Sequence, residues 1–122
     1  MKAISPEEMA AYRQTMWLRD AEARQQLKRR LYEAWGVAKQ ASELLKQNFQ
    51  AAKVFVFGSL VHQDWFSNTS DIDLAVAGLS AWDHLAAVAQ LQDLSTFKVD
   101  LIRLETCQPE FRSKIEKEGR LI

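Results

Sequence analysis

In the stretch GSLVHQDWFSNTSDIDLAV, residues 58–76, two acids interrupt a run that otherwise suits a buried strand. Ile72, Leu74 and Val76 alternate with Asp71, Asp73 and Ala75. Successive strand side chains point to opposite faces, so the apolar set enters a core and both carboxylates emerge on the other side. Alone, such a pair can be idle surface, since exposed strand faces often carry acids. Two further features speak for chemistry. Gly58-Ser59 directly follows the strand-like KVFVF of residues 53–57. A glycine there lets backbone N–H groups approach a phosphate, and the serine hydroxyl can donate to it. Asp100 sits between Val99 and Leu101, an acid where an apolar strand has no packing use for one. Three carboxylates on neighbouring strands beside a phosphate-sized loop form a hard-oxygen donor set for Mg²⁺.

Other chemistry-bearing side chains point elsewhere. His62 and His84 are too few and too far apart for a zinc site, although His62 follows Gly58-Ser59 closely enough to touch a phosphate. Trp65 and Phe66 could stack on a base, but packing is the expectation for both. Lys28-Arg29-Arg30 reads as the solvated face of a helix rather than an RNA site. Cys107 reads as a structural, inert thiol.

The elements that must carry these residues follow from periodicity. Ser5-Pro6-Glu7-Glu8 starts a helix, with Ser5 as N-cap and Glu8 completing a capping box. From there to about Phe49 the pattern is helical, with a stripe of Leu27, Leu31, Trp35, Ala38, Ala41, Leu45 and Phe49. It predicts one long helix or two shorter ones, with any break near residues 18–25. The first part, with Met9, Tyr12, Met16 and Trp17, is expected to project and meet a partner. Strands are predicted at Lys53 to Phe57, Ser70 to Ala77 and Phe97 to Leu104, the last with Lys98, Asp100 and Ile102 on one face. A helical turn is expected within residues 59–64 and a loop at SNTS, 67–70. Ser80 opens a helix with Trp82, Leu85, Val88, Ala89 and Leu91 at helical spacing. A last helix runs from about Pro109 to Lys117, with Gly119 as its C-cap.

Composition sets limits. The chain has 122 residues, with sixteen basic and sixteen acidic side chains, so an overall cationic field for long nucleic acid is absent. Four Trp and six Phe supply bulky anchors for a core or an interface. A single cysteine permits no internal disulfide. The N-terminus MKAISPEEMAAYRQ lacks the apolar core of a signal peptide, and no run reaches transmembrane length. A cytoplasmic protein without membrane contact or strong nucleic-acid binding is expected.

The stretch VFVFGSLVHQDWFSNTSDIDLAV, followed by KVDLI, resembles the nucleotidyltransferase superfamily of the DNA polymerase β type. It is most similar to the minimal nucleotidyltransferases paired with HEPN-domain proteins in bacterial toxin–antitoxin systems. The motifs that carry the resemblance are Gly-Ser, an Asp-x-Asp preceded by Ser, and a third Asp in the next strand. They span roughly residues 50 to 105, and the terminal IEKEGRLI also resembles that group's ending. The family's further glycine about four residues after the Gly-Ser is replaced here by His62-Gln63, and residues 60–70 make a loop one residue longer than the commonest spacing. Both departures lie outside the acids.

The resemblance implies an α+β fold: a small mixed sheet with helices packed on one face and the acids on the other. It implies a single domain, with a helical segment at 1–49, a catalytic palm at 50–105 and a C-terminal helix at 106–122. Asp71, Asp73 and Asp100 would be catalytic and would hold two Mg²⁺ ions, while Gly58, Ser59 and Ser70 would bind the nucleotide. The implied reaction is transfer of AMP from ATP to a hydroxyl, with a tyrosine of a HEPN ribonuclease toxin as acceptor and a hetero-oligomer as the assembly. This chain shows no Arg-x₄₋₆-His motif of its own, so the toxin would be a separate chain. Two rivals are a small-molecule transferase of the aminoglycoside type and an antitoxin that neutralises by masking without catalysis.

Overall fold

The computed structural model describes residues 3–122; Met1 and Lys2 lie outside the described residues. Helix α1 spans Pro6–Phe49 as one unbroken run of 44 residues, about 66 Å at 1.5 Å per residue. Its start follows the capping logic, with the Ser5 hydroxyl accepting from the Glu8 N–H at 3.1 Å and Pro6 in the first turn. No break occurs near residues 18–25, where no proline or glycine interrupts the run. The helix ends when Gln50 turns left-handed at φ 56° and its N–H bonds back to the Leu45 carbonyl.

Strand β1 (Lys53–Phe57) is central in a four-stranded sheet with β2 (Ile72–Ala77), β3 (Val99–Arg103) and β4 (Arg120–Leu121), in the order β3-β2-β1-β4. β1 runs antiparallel to β2 and β4, and β2 runs parallel to β3 through the crossover helix α2 (Ala81–Gln92). The sheet is thus mixed and the fold α+β, as expected. The short β4 is an addition to the three expected strands. Arg120 and Leu121 carry no strand pattern of their own; pairing with Val56 and Phe55 makes them a strand.

α1 and α2 pack on one face of the sheet. Val54, Val56, Ile72, Leu74, Val76, Val99 and Leu101 meet Ala34, Ala38, Ala41 and Leu45 of α1 and Ala87 and Leu91 of α2. The three alanines leave no bulk between helix and sheet, so the strand side chains reach the helix surface directly. The opposite face is not bare. Helix α3 (Pro109–Glu118) closes one end of it through Ile115, packed with Phe55, Ala75 and Leu104. The remaining end carries the acids.

Burial along α1 divides it in two. Every residue from Pro6 to Asp20 is exposed, including Met9, Tyr12, Met16, Trp17 and Leu18, and fully buried positions begin only at Ala34. The expected projection of the first part is therefore real. On α2, Leu91 reaches the core while Trp82 and Leu85 face outward, Trp82 being 93% exposed. No helix is long and apolar enough to cross a membrane among the described residues.

Candidate nucleotidyl-transfer site

Strand register assembles the site. Asp73 is the direct partner of Phe57 across β1 and of Asp100 across β3. Directly paired residues share a face, so Phe57, Asp73 and Asp100 form one row across three strands, with neighbouring strands about 4.8 Å apart. Asp71 lies two residues before Asp73, just ahead of β2, and alternation returns it to the same face. The two segments are tied at this level by the Ile72 N–H donating to the Lys98 carbonyl at 2.9 Å.

Lys98 completes the charge pattern. Its ammonium stands 3.9 Å from the Asp71 carboxylate and 3.8 Å from that of Asp100. The Asp73 carboxyl is pushed up from 3.8 to about 6, first by burial and then by the carboxylates of Asp100 and Asp71, against a downward pull from Lys98. Three acids share too little positive charge, the condition a hard divalent cation relieves. Among the described residues no three acid, histidine or cysteine side chains are already gathered as a metal cage. A cation among the acids would take the place of the Lys98 ammonium, whose side chain is 67% exposed. In donor chemistry the residues fit Mg²⁺.

Gly58 follows β1 with φ +74°, a conformation that a side chain disfavours. A Cβ placed there would overlap the Asp73 carboxylate oxygen, so the loop touches the central acid directly. Gly58–Leu60 forms a tight turn in which the Gly58 carbonyl accepts from the N–H groups of Val61 and His62 at 3.1 and 3.0 Å. Ser59 lies half-buried in that turn. Ser70 closes the loop before Asp71: its hydroxyl accepts from the Ser67 N–H at 2.8 Å. Its carbonyl accepts from the Arg30 guanidinium at 3.1 Å.

Several neighbours of the site carry no motif of their own. Lys98 lies just ahead of β3 and two residues before Asp100, the spacing that places both on one face. Arg30 was read as solvated, yet it is half-buried, with its guanidinium 4.5 Å from the centroid of the Phe97 ring. Phe66 is buried as expected, whereas Trp65 is 69% exposed and stacks on His62 at 4.4 Å between ring centroids. His84 lies away from the acids and bonds the Leu101 carbonyl at 2.8 Å. Cys107, a free thiol, donates to the Arg103 carbonyl at 3.4 Å.

A strand, a left-handed Gly-Ser turn, an Asp-x-Asp strand and a third Asp on its parallel neighbour define a nucleotidyltransferase palm. Residues 39–122 match the family described as "Polymerase beta, Nucleotidyltransferase", and the chain belongs to that family. The solved structures of similar fold include toxin–antitoxin complexes and a minimal nucleotidyltransferase. A protein assigned as a minimal nucleotidyltransferase shares 26% identity at TM-score 0.62, over 74% of this chain and 93% of that one. A toxin–antitoxin crystal structure with AMP-PNP aligns at 22% identity and TM-score 0.59, over 69% of this chain and 70% of that one. A chain from the structure of tri-AMPylated Shewanella oneidensis HEPN toxin in complex with MNT antitoxin aligns at 20% identity and TM-score 0.56, over 72% of this chain and 70% of that one. No curated protein sequence gives a significant match.

Proposed function

We propose that this protein is an Mg²⁺-dependent adenylyltransferase that moves AMP from ATP onto a tyrosine hydroxyl of a HEPN-type ribonuclease toxin, and so acts as its antitoxin. The observation that carries the reading is the row of Asp73 and Asp100 in register, with Asp71 beside it and the left-handed Gly58 against Asp73. The similar antitoxin in complex with a tri-AMPylated HEPN toxin supports the choice of acceptor, and the similar complex with AMP-PNP supports the choice of donor.

In this reading each residue has a role suited to its position. Gly58 and Ser59 offer a close-approaching backbone and a hydroxyl donor to the terminal phosphates. Asp71 and Asp73 would hold the cations, and Asp100, on the adjacent strand, would complete the second cation site and orient the acceptor hydroxyl. Bound Mg²⁺ supplies charge neutralisation on the triphosphate and acidifies the attacking hydroxyl. The acceptor oxygen bonds to the α-phosphorus, the bond from that phosphorus to the β-phosphate bridging oxygen breaks, and pyrophosphate leaves. The hydroxyl proton passes to the Asp100 carboxylate and on to water. The exposed segment of α1, Met9 to Leu18, is the surface offered to the partner in a hetero-oligomer.

The test uses α-labelled ATP, Mg²⁺ and a HEPN protein co-expressed with the chain. Label should enter the partner with the wild type and not with Asp71→Asn or Asp73→Asn, both folded. Near wild-type transfer by either variant would remove these residues as cation ligands.

A further inference from the structure

Beside the acid row lies a cavity of about 190 Å³ between the Gly58–Trp65 turns and α3. It is smaller than the pockets of drug-sized ligands, about 300–1,000 Å³, and suits a single ring system. We propose that this cavity receives the nucleobase of the donor nucleotide and selects a base bearing an exocyclic amine. The inference rests on the nucleotidyl-transfer reading and adds where the base goes and what kind of base it is.

Four rings from separate elements line the space. Phe57 at the end of β1 and Phe111 of α3 meet edge to face, with centroids 6.0 Å apart at 87°. His62 and Trp65 stack at 4.4 Å. Aromatic side chains on two sides offer apolar and stacking contact to a flat heteroaromatic ring. The polar lining is specific too. Lys114 and Glu118 stand one helical turn apart on α3, and the His62 ring lies 3.7 Å from the Glu118 carboxylate. An ionised carboxylate only accepts hydrogen bonds, so Glu118 can accept one from an amine.

Position makes the same point. Gly58 lines the cavity and also lies against Asp73, so one residue separates the space for a ring from the acids. A nucleotide has the same layout, with its base at one end and its reacting phosphates at the other. Trp65 has no core role to explain it, being 69% exposed on the cavity rim.

The experiment is calorimetry on the full chain in Mg²⁺, with inorganic tripolyphosphate, ATP, CTP and UTP as ligands. Tripolyphosphate reads the phosphate loop and acids alone. ATP and CTP should bind more tightly than tripolyphosphate, and UTP should not match them. Phe111→Ala and Trp65→Ala should each weaken ATP roughly tenfold, the order of losing one stacking ring, with tripolyphosphate unchanged. Glu118→Gln should erase the preference over UTP. Trp65 is 69% exposed and Phe111 45%, and Glu118→Gln keeps its shape if either truncation fails to fold. Tripolyphosphate binding together with unaltered ATP affinity in all three variants would overturn the base pocket and spare the transferase reading. Failure of every ligand to bind would overturn both.

Discussion

Asp73 concentrates the electrostatics of the site, and its burial sets a pH signature. Its folded pKa is about 6 against 3.8 for an ordinary aspartate. Below about pH 4 it is neutral whether folded or unfolded; from about 4 to 6 the folded chain keeps a proton that the unfolded chain releases. Folding stability contributed by this group is therefore lost as pH rises through that window. Asp73→Asn, neutral throughout, should melt at a higher temperature than the wild type at about pH 7.5 and at the same temperature near pH 3.5. Melts in EDTA read this directly, and an equal melting temperature at pH 7.5 would show that Asp73 titrates normally. Gly58 answers to sterics instead. Gly58→Ala meets both an unfavourable φ and the Asp73 carboxylate, so a stability loss of about 1–2 kcal/mol or more is expected in urea unfolding. Ser59→Ala should leave stability alone and weaken triphosphate binding by about 1–3 kcal/mol. Unchanged nucleotide affinity in both variants would move the triphosphate elsewhere.

The elements explain how the acids stay together. β2 and β3 are parallel, and the loops entering them meet the same side chain of α1. The Arg30 guanidinium donates to the Ser70 carbonyl, one residue before Asp71. It also covers the ring of Phe97, three residues before Asp100. One helix side chain thus braces both approaches to the acid row. Arg30→Met should cost about 1.5–3 kcal/mol, the scale of a hydrogen bond from a charged donor. Arg30→Lys should not restore it, since an ammonium lacks the planar fork that bonds and stacks at once. Denaturant melts of the two variants measure this, and wild-type stability in Arg30→Met would mean the brace is idle.

Across the whole molecule, the family match starts at residue 39, while α1 starts at Pro6. The preceding stretch of helix carries exposed Met9, Tyr12, Met16, Trp17 and Leu18 and contributes nothing fully buried before Ala34. Deleting residues 1–18 should therefore leave the melting temperature and ATP–Mg²⁺ binding unchanged and lower affinity for the partner. Calorimetry with the truncated chain decides between roles. Full partner affinity would sink the docking role, and loss of folding would show the segment to be part of the core.

Local rules were enough for much of this. The Ser5 cap, the α1 stripe, β1, the alternation in β2 and β3 and the start of α3 at Pro109 all follow from spacing and capping, which act over a few residues. So does the sharing of one face by Asp71 and Asp73, because a strand's period is fixed. What local rules could not supply was register between strands. The pairing of Asp73 with Asp100, 27 positions apart, depends on the α2 crossover and on core packing. Nothing near Arg120 marks β4, whose partners lie about 65 residues earlier in β1. Arg30 and Trp65 show the same limit from the side-chain view: a charged helix residue turned inward and an aromatic residue turned outward. Their neighbours come from distant segments, and burial is settled by what the folded chain brings against a residue, not by the residue's own type.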